Sequence, residues 1–198
     1  MSTSTVSEST IIEPKPFELA DLGPWLFVYP NPGGSPGLGY PLVMDVQGDS
    51  NAPGAGIIAY TPKCIDYSNQ LWWARPSGEG NYYFIVNQNS GLVLDIPGGQ
   101  TAGNVPLIQW QQQGNDSQKW FFVEGGGSFG PIPLDQKSYY VFNKQAQKVL
   151  DVAYSPGDPV KEPGSAIICE QQTTPSPKYD QRWYFISSPN QVLGGSCS

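Results

Sequence analysis

Three aspartates occupy near-identical settings along this 198-residue chain. Asp45 lies in Val43-Met44-Asp45-Val46, Asp95 in Val93-Leu94-Asp95-Ile96 and Asp151 in Val149-Leu150-Asp151-Val152. A carboxylate in such a strand can accept hydrogen bonds, cap the turn that follows, or hydrolyse a glycosidic bond if a second carboxylate stands nearby. Each aspartate is followed by a Gln-x-Trp: Gln70-Leu71-Trp72, Gln118-Lys119-Trp120 and Gln181-Arg182-Trp183. Two landmarks repeated three times in one order make a tandem threefold repeat. The aspartates therefore fall in separate units and do not converge on one bond, so no glycosidase pair forms. The chain has no histidine, which removes His-dependent acid–base chemistry and His-ligated metal. Gly125-Gly126-Gly127-Ser128 lacks the lysine and the helix that a phosphate-cradling loop needs. The sequence thus predicts a non-enzymatic protein with no cofactor and no metal site.

The elements that must position these residues are strands. Gly (23) and Pro (20) recur throughout and no 3.6-residue period appears, which argues against helices. Each unit opens on an aromatic-rich strand: Trp25 to Tyr29, Tyr82 to Asn87 and Tyr139 to Asn143. The aspartate strand follows, then a Gly/Pro-rich loop. A third apolar strand comes next: Gly56 to Tyr60, Pro106 to Trp110 and Ala166 to Glu170. The strand that begins at the Gln-x-Trp tryptophan closes the unit. The expectation is twelve short strands in an all-β fold. No unit can bury its aromatic face alone, whereas three can close a barrel and remove their edges. The tryptophans read as core and the glutamines as ties between backbone groups. The expected layout is a flexible leader over 1–20, one domain over 21–190 with repeats at about 25–80, 81–137 and 138–188, and a tail over 191–198.

Charge and cysteine content narrow the partners. The net charge of −7 repels a phosphate backbone, and no basic cluster would hold an anionic membrane. No segment is apolar for long enough to span a bilayer. The start, Met1 to Thr10, is Ser/Thr-rich with neither a basic stretch nor an apolar run. The expected location is cytoplasmic, or outside the cell without an ordinary signal peptide. Cys64, Cys169 and Cys197 are an odd number at unrelated places and read as free thiols. The oligomeric state stays open, a homodimer included.

The threefold Gln-x-Trp with an aspartate strand in each unit resembles the ricin B-type (R-type) lectins. The best-matching stretch runs from Asn87-Gln88-Asn89-Ser90-Gly91-Leu92-Val93-Leu94-Asp95 through Trp120. The resemblance implies a β-trefoil of three four-stranded repeats with pseudo-threefold symmetry. It also implies one shallow sugar pocket per repeat. There the aspartate accepts from sugar hydroxyls, an aromatic ring on the third strand stacks on the pyranose, and an Asn or Asp before the Gln-x-Trp adds polar contacts. These requirements suit a neutral polyol, which has donors on its rim and C–H groups on one face.

Carried onto this chain, the resemblance gives Asp45, Tyr60, Asn69 and Gln70 in repeat one. In repeat two it gives Asp95, Trp110, Ser117 and Gln118, with Asp116 able to stand in for the usual Asn. In repeat three it gives Asp151, Asp180 and Gln181. Spacing supports the first two repeats: 15 residues separate Asp45 from Tyr60 (60 − 45) and Asp95 from Trp110 (110 − 95). In repeat three Glu170 falls where the aromatic is expected, 19 residues after Asp151 (170 − 151), with Tyr154 or Tyr179 as alternative platforms. The expected partners are glycans or glycoconjugates, of the galactose or N-acetylgalactosamine type common in that family. A rival from another class is a β-trefoil interaction module, such as a protease inhibitor or toxin-associated partner. It would act through the Pro-containing loops at Gly125 to Lys137 and Pro156 to Gly164, whose stiffness lowers the entropy lost on binding.

Overall fold

The computed structural model describes residues 23–30, 41–125, 137–153, 161–172 and 181–194. Repeat one contributes β1 (Trp25–Tyr29), β2 (Leu42–Val46), β3 (Ile57–Tyr60) and β4 (Leu71–Pro76). Repeat two contributes β5 (Tyr83–Asn87), β6 (Val93–Asp95), β7 (Val105–Pro106), β8 (Ile108–Trp110) and β9 (Trp120–Glu124). Repeat three contributes β10 (Ser138–Asn143), β11 (Val149–Val152), β12 (Ile167–Glu170) and β13 (Trp183–Ile186). The first and last strands of the repeats pair in a closed antiparallel ring: β1 with β4, β4 with β5, β5 with β9, β9 with β10, β10 with β13, and β13 back to β1. A closed ring leaves no edge to template aggregation. The fold is a β-trefoil.

The expected single third strand of repeat two is two strands. Pro106 has no N–H to give, and the Leu107 backbone turns to other repeats, accepting from Ile57 N (3.0 Å) and donating to Ile167 O (2.8 Å). The hairpins β2–β3, β6–β8 and β11–β12 meet around these three side chains, Ile57, Leu107 and Ile167, which are at most 1 % exposed.

Each hairpin has the same register. Val43 pairs with Tyr60, Val93 with Trp110 and Val149 with Glu170. Glu170 therefore does hold the aromatic position of repeat three, despite the longer spacing.

Trp72, Trp120 and Trp183 are fully buried in one core cluster. A buried indole needs a partner for its N–H. Trp72 donates to Met44 O (3.0 Å), Trp120 to Leu94 O (3.1 Å) and Trp183 to Leu150 O (3.0 Å). Each acceptor is the residue just before an aspartate. The core thus pins the strand that carries each carboxylate. A short helix, α1 (Pro189–Val192), has its Ser188 side chain accepting from Asn190 N, and buries Val192 against β1 and β13.

The cysteine expectation needs correcting. Cys169 is free and buried, and burial pushes its thiol up to about 12. Cys64 is disulfide-bonded rather than a free thiol. Sequence alone does not show it, because pairing depends on which loops meet in space.

Candidate functional site

Each aspartate is held by the glutamine of its own repeat. Gln70 Nε2 donates to Asp45 Oδ2 (2.8 Å) and Thr61 O (2.9 Å), while its Oε1 accepts from Lys63 N (2.9 Å). Gln118 Nε2 donates to Asp95 Oδ2 (3.0 Å) and Gln111 O (2.9 Å), and its Oε1 accepts from Gln113 N (2.8 Å). Gln181 Nε2 donates to Asp151 Oδ2 (3.0 Å) and Gln171 O (3.0 Å). All three glutamines are at most 1 % exposed. Both amide protons are committed in every case, so these side chains position the carboxylates from behind rather than face a ligand.

A second set of ties joins neighbouring repeats. Asn87 Nδ2 donates to Asn69 O (2.9 Å), and Asn143 Nδ2 donates to Ser117 O (2.8 Å). The Asn87 Oδ1 accepts from Asn89 N and Ser90 N, and the Asn143 Oδ1 from Gln145 N and Ala146 N. Each asparagine thereby shapes its own turn and fixes the residue before the preceding Gln. Sequence reasoning missed both. The signal was present: each ends the opening strand of its unit.

Repeat two forms an open pocket of about 830 Å³. Asp95 lies within it, with Ile96, Ile108 and half-buried Trp110 as apolar wall. Gln113, Asn115, Asp116 and Ser117 supply the polar wall, and the turn Pro97–Gly99 with Gln145 closes the far side. Gly99 has φ +63°, a left-handed conformation that favours glycine, and its carbonyl accepts from Gln145 Nε2, which brings repeat three to the edge of the pocket. Asp95 is 6 % exposed, and its Oδ1 has no hydrogen-bond partner among the described residues. A buried acceptor left unpaired costs about 1–3 kcal/mol, more when charged, so this oxygen favours an incoming donor. Trp110 rests on Gly54 of repeat one, where a Cβ would come within 3.4 Å of its ring. Asp116 is turned towards Lys119 (3.0 Å) and Lys144 (3.1 Å). Burial works to raise the Asp116 carboxyl, but the hydrogen bonds and charges of the two lysines outweigh it and hold it below the ordinary range.

Repeat one has the same aspartate, glutamine and aromatic, with Tyr60 39 % exposed. Its polar groups are engaged by a residue the sequence did not single out. Lys63 Nζ donates to Asn69 Oδ1 (3.1 Å), pairs with Asp49, and lies 3.8 Å from Asp45 Oδ2. Asn69 Nδ2 donates to Val46 O (3.2 Å), so this side chain has partners at both ends. Burial raises the Asp45 carboxyl above its ordinary value, against the lowering by Gln70, Lys63 and Asn69.

Repeat three differs again. Asp151 Oδ1 accepts from its neighbour Val152 N (2.7 Å), so both oxygens are engaged. Glu170 offers a charge where the other repeats offer a ring. It presses on Gly103, whose added Cβ would meet Glu170 Oε2 at 2.7 Å. Buried Lys161 donates to Val152 O (2.6 Å). Asp180, Tyr154 and Tyr179 lie outside the described residues, as do most of the two loops named for the rival reading. Among the described residues no group of three or more His, Cys, Asp or Glu could hold a metal ion, and no helix is long and apolar enough to cross a membrane.

The same fold recurs in solved structures. A designed threefold-symmetric protein, ThreeFoil, superposes with a TM-score of 0.64 at 23 % identity, covering 83 % of this chain and 99 % of that one. An exo-β-1,3-galactanase from Clostridium thermocellum gives 0.62 at 22 % identity, over 86 % of this chain but 31 % of the enzyme. The C-half of an earthworm R-type lectin, solved in complex with GalNAc, gives 0.55 at 19 % identity, over 84 % of this chain and 100 % of that one. No curated protein sequence matches the chain. The family model for the ricin-type beta-trefoil lectin domain-like proteins matches residues 68–168, which run from the first Gln-x-Trp through the aspartate of repeat three to β12. The chain belongs to the ricin-type beta-trefoil lectin domain-like family.

Proposed function

We propose that the protein is a non-catalytic glycan-binding module whose principal site is the Asp95 pocket of repeat two. The observation that carries this reading is the Asp95 carboxylate. Gln118 holds one oxygen from behind, and the other stands buried and unpartnered in an open pocket beside Trp110. A sugar hydroxyl would supply the missing donor, and the indole face would cover the C–H surface of a pyranose. Asn115, Ser117 and Gln113 would take further hydroxyls. The pocket carries two aspartates and no cation at its centre, which favours neutral sugars over sialylated or sulfated ones. Within that class we favour galactose and N-acetylgalactosamine, following the earthworm lectin's bound GalNAc. One shallow site of this kind binds in the millimolar range, about −4 kcal/mol, so useful retention needs a multivalent glycan surface or other sites.

The test is a glycan array probed with the wild-type chain and with Asp95→Ala, with free sugar as competitor. The reading requires binding to neutral glycans that free galactose or N-acetylgalactosamine competes away and that Asp95→Ala abolishes. Array binding unchanged in Asp95→Ala would refute it.

A further inference from the structure

We propose that Lys63 closes the site of repeat one, so that the wild-type chain offers a glycan the repeat-two pocket and keeps its repeat-one counterpart shut. The inference rests on the reading of the Asp95 pocket as a glycan site. Its basis is a matched pair of positions. Lys63 and Gln113 each donate a backbone N–H to the side-chain oxygen of their repeat's Gln-x-Trp glutamine, so their backbones stand at equivalent places. The side chains then diverge. The Lys63 ammonium, on a side chain only 25 % exposed, contacts Asn69 Oδ1 at 3.1 Å, pairs with Asp49 and lies 3.8 Å from Asp45 Oδ2.

An ammonium has three N–H donors and no acceptor. It occupies Asn69 Oδ1 and stands beside the Asp45 carboxylate, the two side chains that sugar hydroxyls would need in repeat one. In repeat two both halves of this ion pair are gone: Gln113 stands at the lysine's place, and Gly99 ends the turn that Asp49 ends in repeat one. A glycan entering repeat one would have to displace the lysine and leave buried Asp45 without its nearest cation. A shallow sugar contact returns only millimolar affinity, so any cost of displacing the lysine and losing its contacts comes straight out of a weak affinity.

Removing the lysine should therefore create a binding site. The decisive variants are Asp95→Ala, Lys63→Ala/Asp95→Ala and Lys63→Gln/Asp95→Ala, the last placing the repeat-two residue type at position 63. Each is checked by thermal unfolding, then probed on an array of neutral galactose- and N-acetylgalactosamine-terminated glycans. The expected result is binding by wild type, at least a tenfold loss in Asp95→Ala, and recovery in either double variant. Folded double variants that stay silent while wild type binds would overturn the inference and leave the repeat-two reading intact. A silent wild type with binding by Lys63→Ala/Asp95→Ala would do the reverse. Wild-type binding that survives Asp95→Ala and disappears in Asp45→Ala would overturn both, as would silence of every variant.

Discussion

Repeats one and two use the same parts and arrive at different surfaces. Both place an aspartate on the second strand, an aromatic 15 residues later (60 − 45 and 110 − 95), and a glutamine that grips the carboxylate from behind. In repeat one a lysine lies across the acceptors. In repeat two no lysine approaches the carboxylate: Gln118 holds Asp95 Oδ2, Oδ1 has no hydrogen-bond partner among the described residues, and Asp95 lines an open pocket. The scaffold that positions the carboxylate is thus separable from the loop side chain that decides whether the carboxylate is available. A trefoil can keep the scaffold threefold and still present unequal sites.

The largest effects should show no difference between the repeats. Trp72→Ala and Trp120→Ala each remove a fully buried indole and its bond to the aspartate strand, so each should cost about 3–5 kcal/mol of stability. Denaturant unfolding would measure this, and a loss under about 1 kcal/mol in one of them would break the equivalence of the two scaffolds.

The next effect should separate the repeats. In repeat two, Asp95→Ala removes a charged acceptor worth about 1.5–3 kcal/mol, or roughly 10- to 100-fold in glycan affinity. Asp45→Ala should leave that affinity within a factor of about two, because Lys63 holds the repeat-one acceptors.

Gln118→Ala tests the grip itself. It should cost about 1–3 kcal/mol of stability, since the Gln111 carbonyl and the Gln113 N–H lose their partner. It should also weaken glycan binding by freeing Asp95, whereas Gln70→Ala should cost stability alone. Paired unfolding and array measurements distinguish the two outcomes.

The fold was legible because its signals are redundant: three tryptophans, three glutamines and three aspartates in one order require a shared architecture. The Asp95–Trp110 pair was legible for the same reason, as its spacing matches Asp45–Tyr60. Lys63 was not. Its register was in the sequence, since it follows Tyr60 by 3 residues (63 − 60) as Gln113 follows Trp110 by 3 (113 − 110), but the conformation of its side chain was not. The hydrogen bonds from the two backbones to the glutamines agree with that register, and only the fold shows the Lys63 ammonium turned back onto Asn69 and towards Asp45. Gln145 was hidden because it reaches the pocket from another repeat. The role of the glutamines was half legible: a buried amide demands partners, but that one of those partners would be the aspartate follows from the fold.

The smallest expected effect is on pH dependence. Burial raises Asp45 above 3.8, so the folded state binds more protons than the unfolded one in the window just above that value. The Asp45 contribution to stability is therefore full below 3.8 and lost as pH rises through the raised pKa. Asp116 behaves oppositely: held low by its lysines, it contributes above 3.8 and loses that contribution as pH falls through its lowered pKa. Carboxyl-carbon NMR titrations should place Asp45 above and Asp116 below 3.8, and Lys63→Ala should push Asp45 higher still. An Asp45 midpoint that Lys63→Ala leaves unmoved would show that the lysine exerts no hold on the carboxylate.

The most direct test of the central claim is calorimetric titration of one array-selected neutral glycan into wild type, Asp45→Ala and Asp95→Ala. The account predicts one site in wild type, the same site at nearly the same affinity in Asp45→Ala, and its loss in Asp95→Ala. Full binding by Asp95→Ala, or loss of binding in Asp45→Ala, would contradict it.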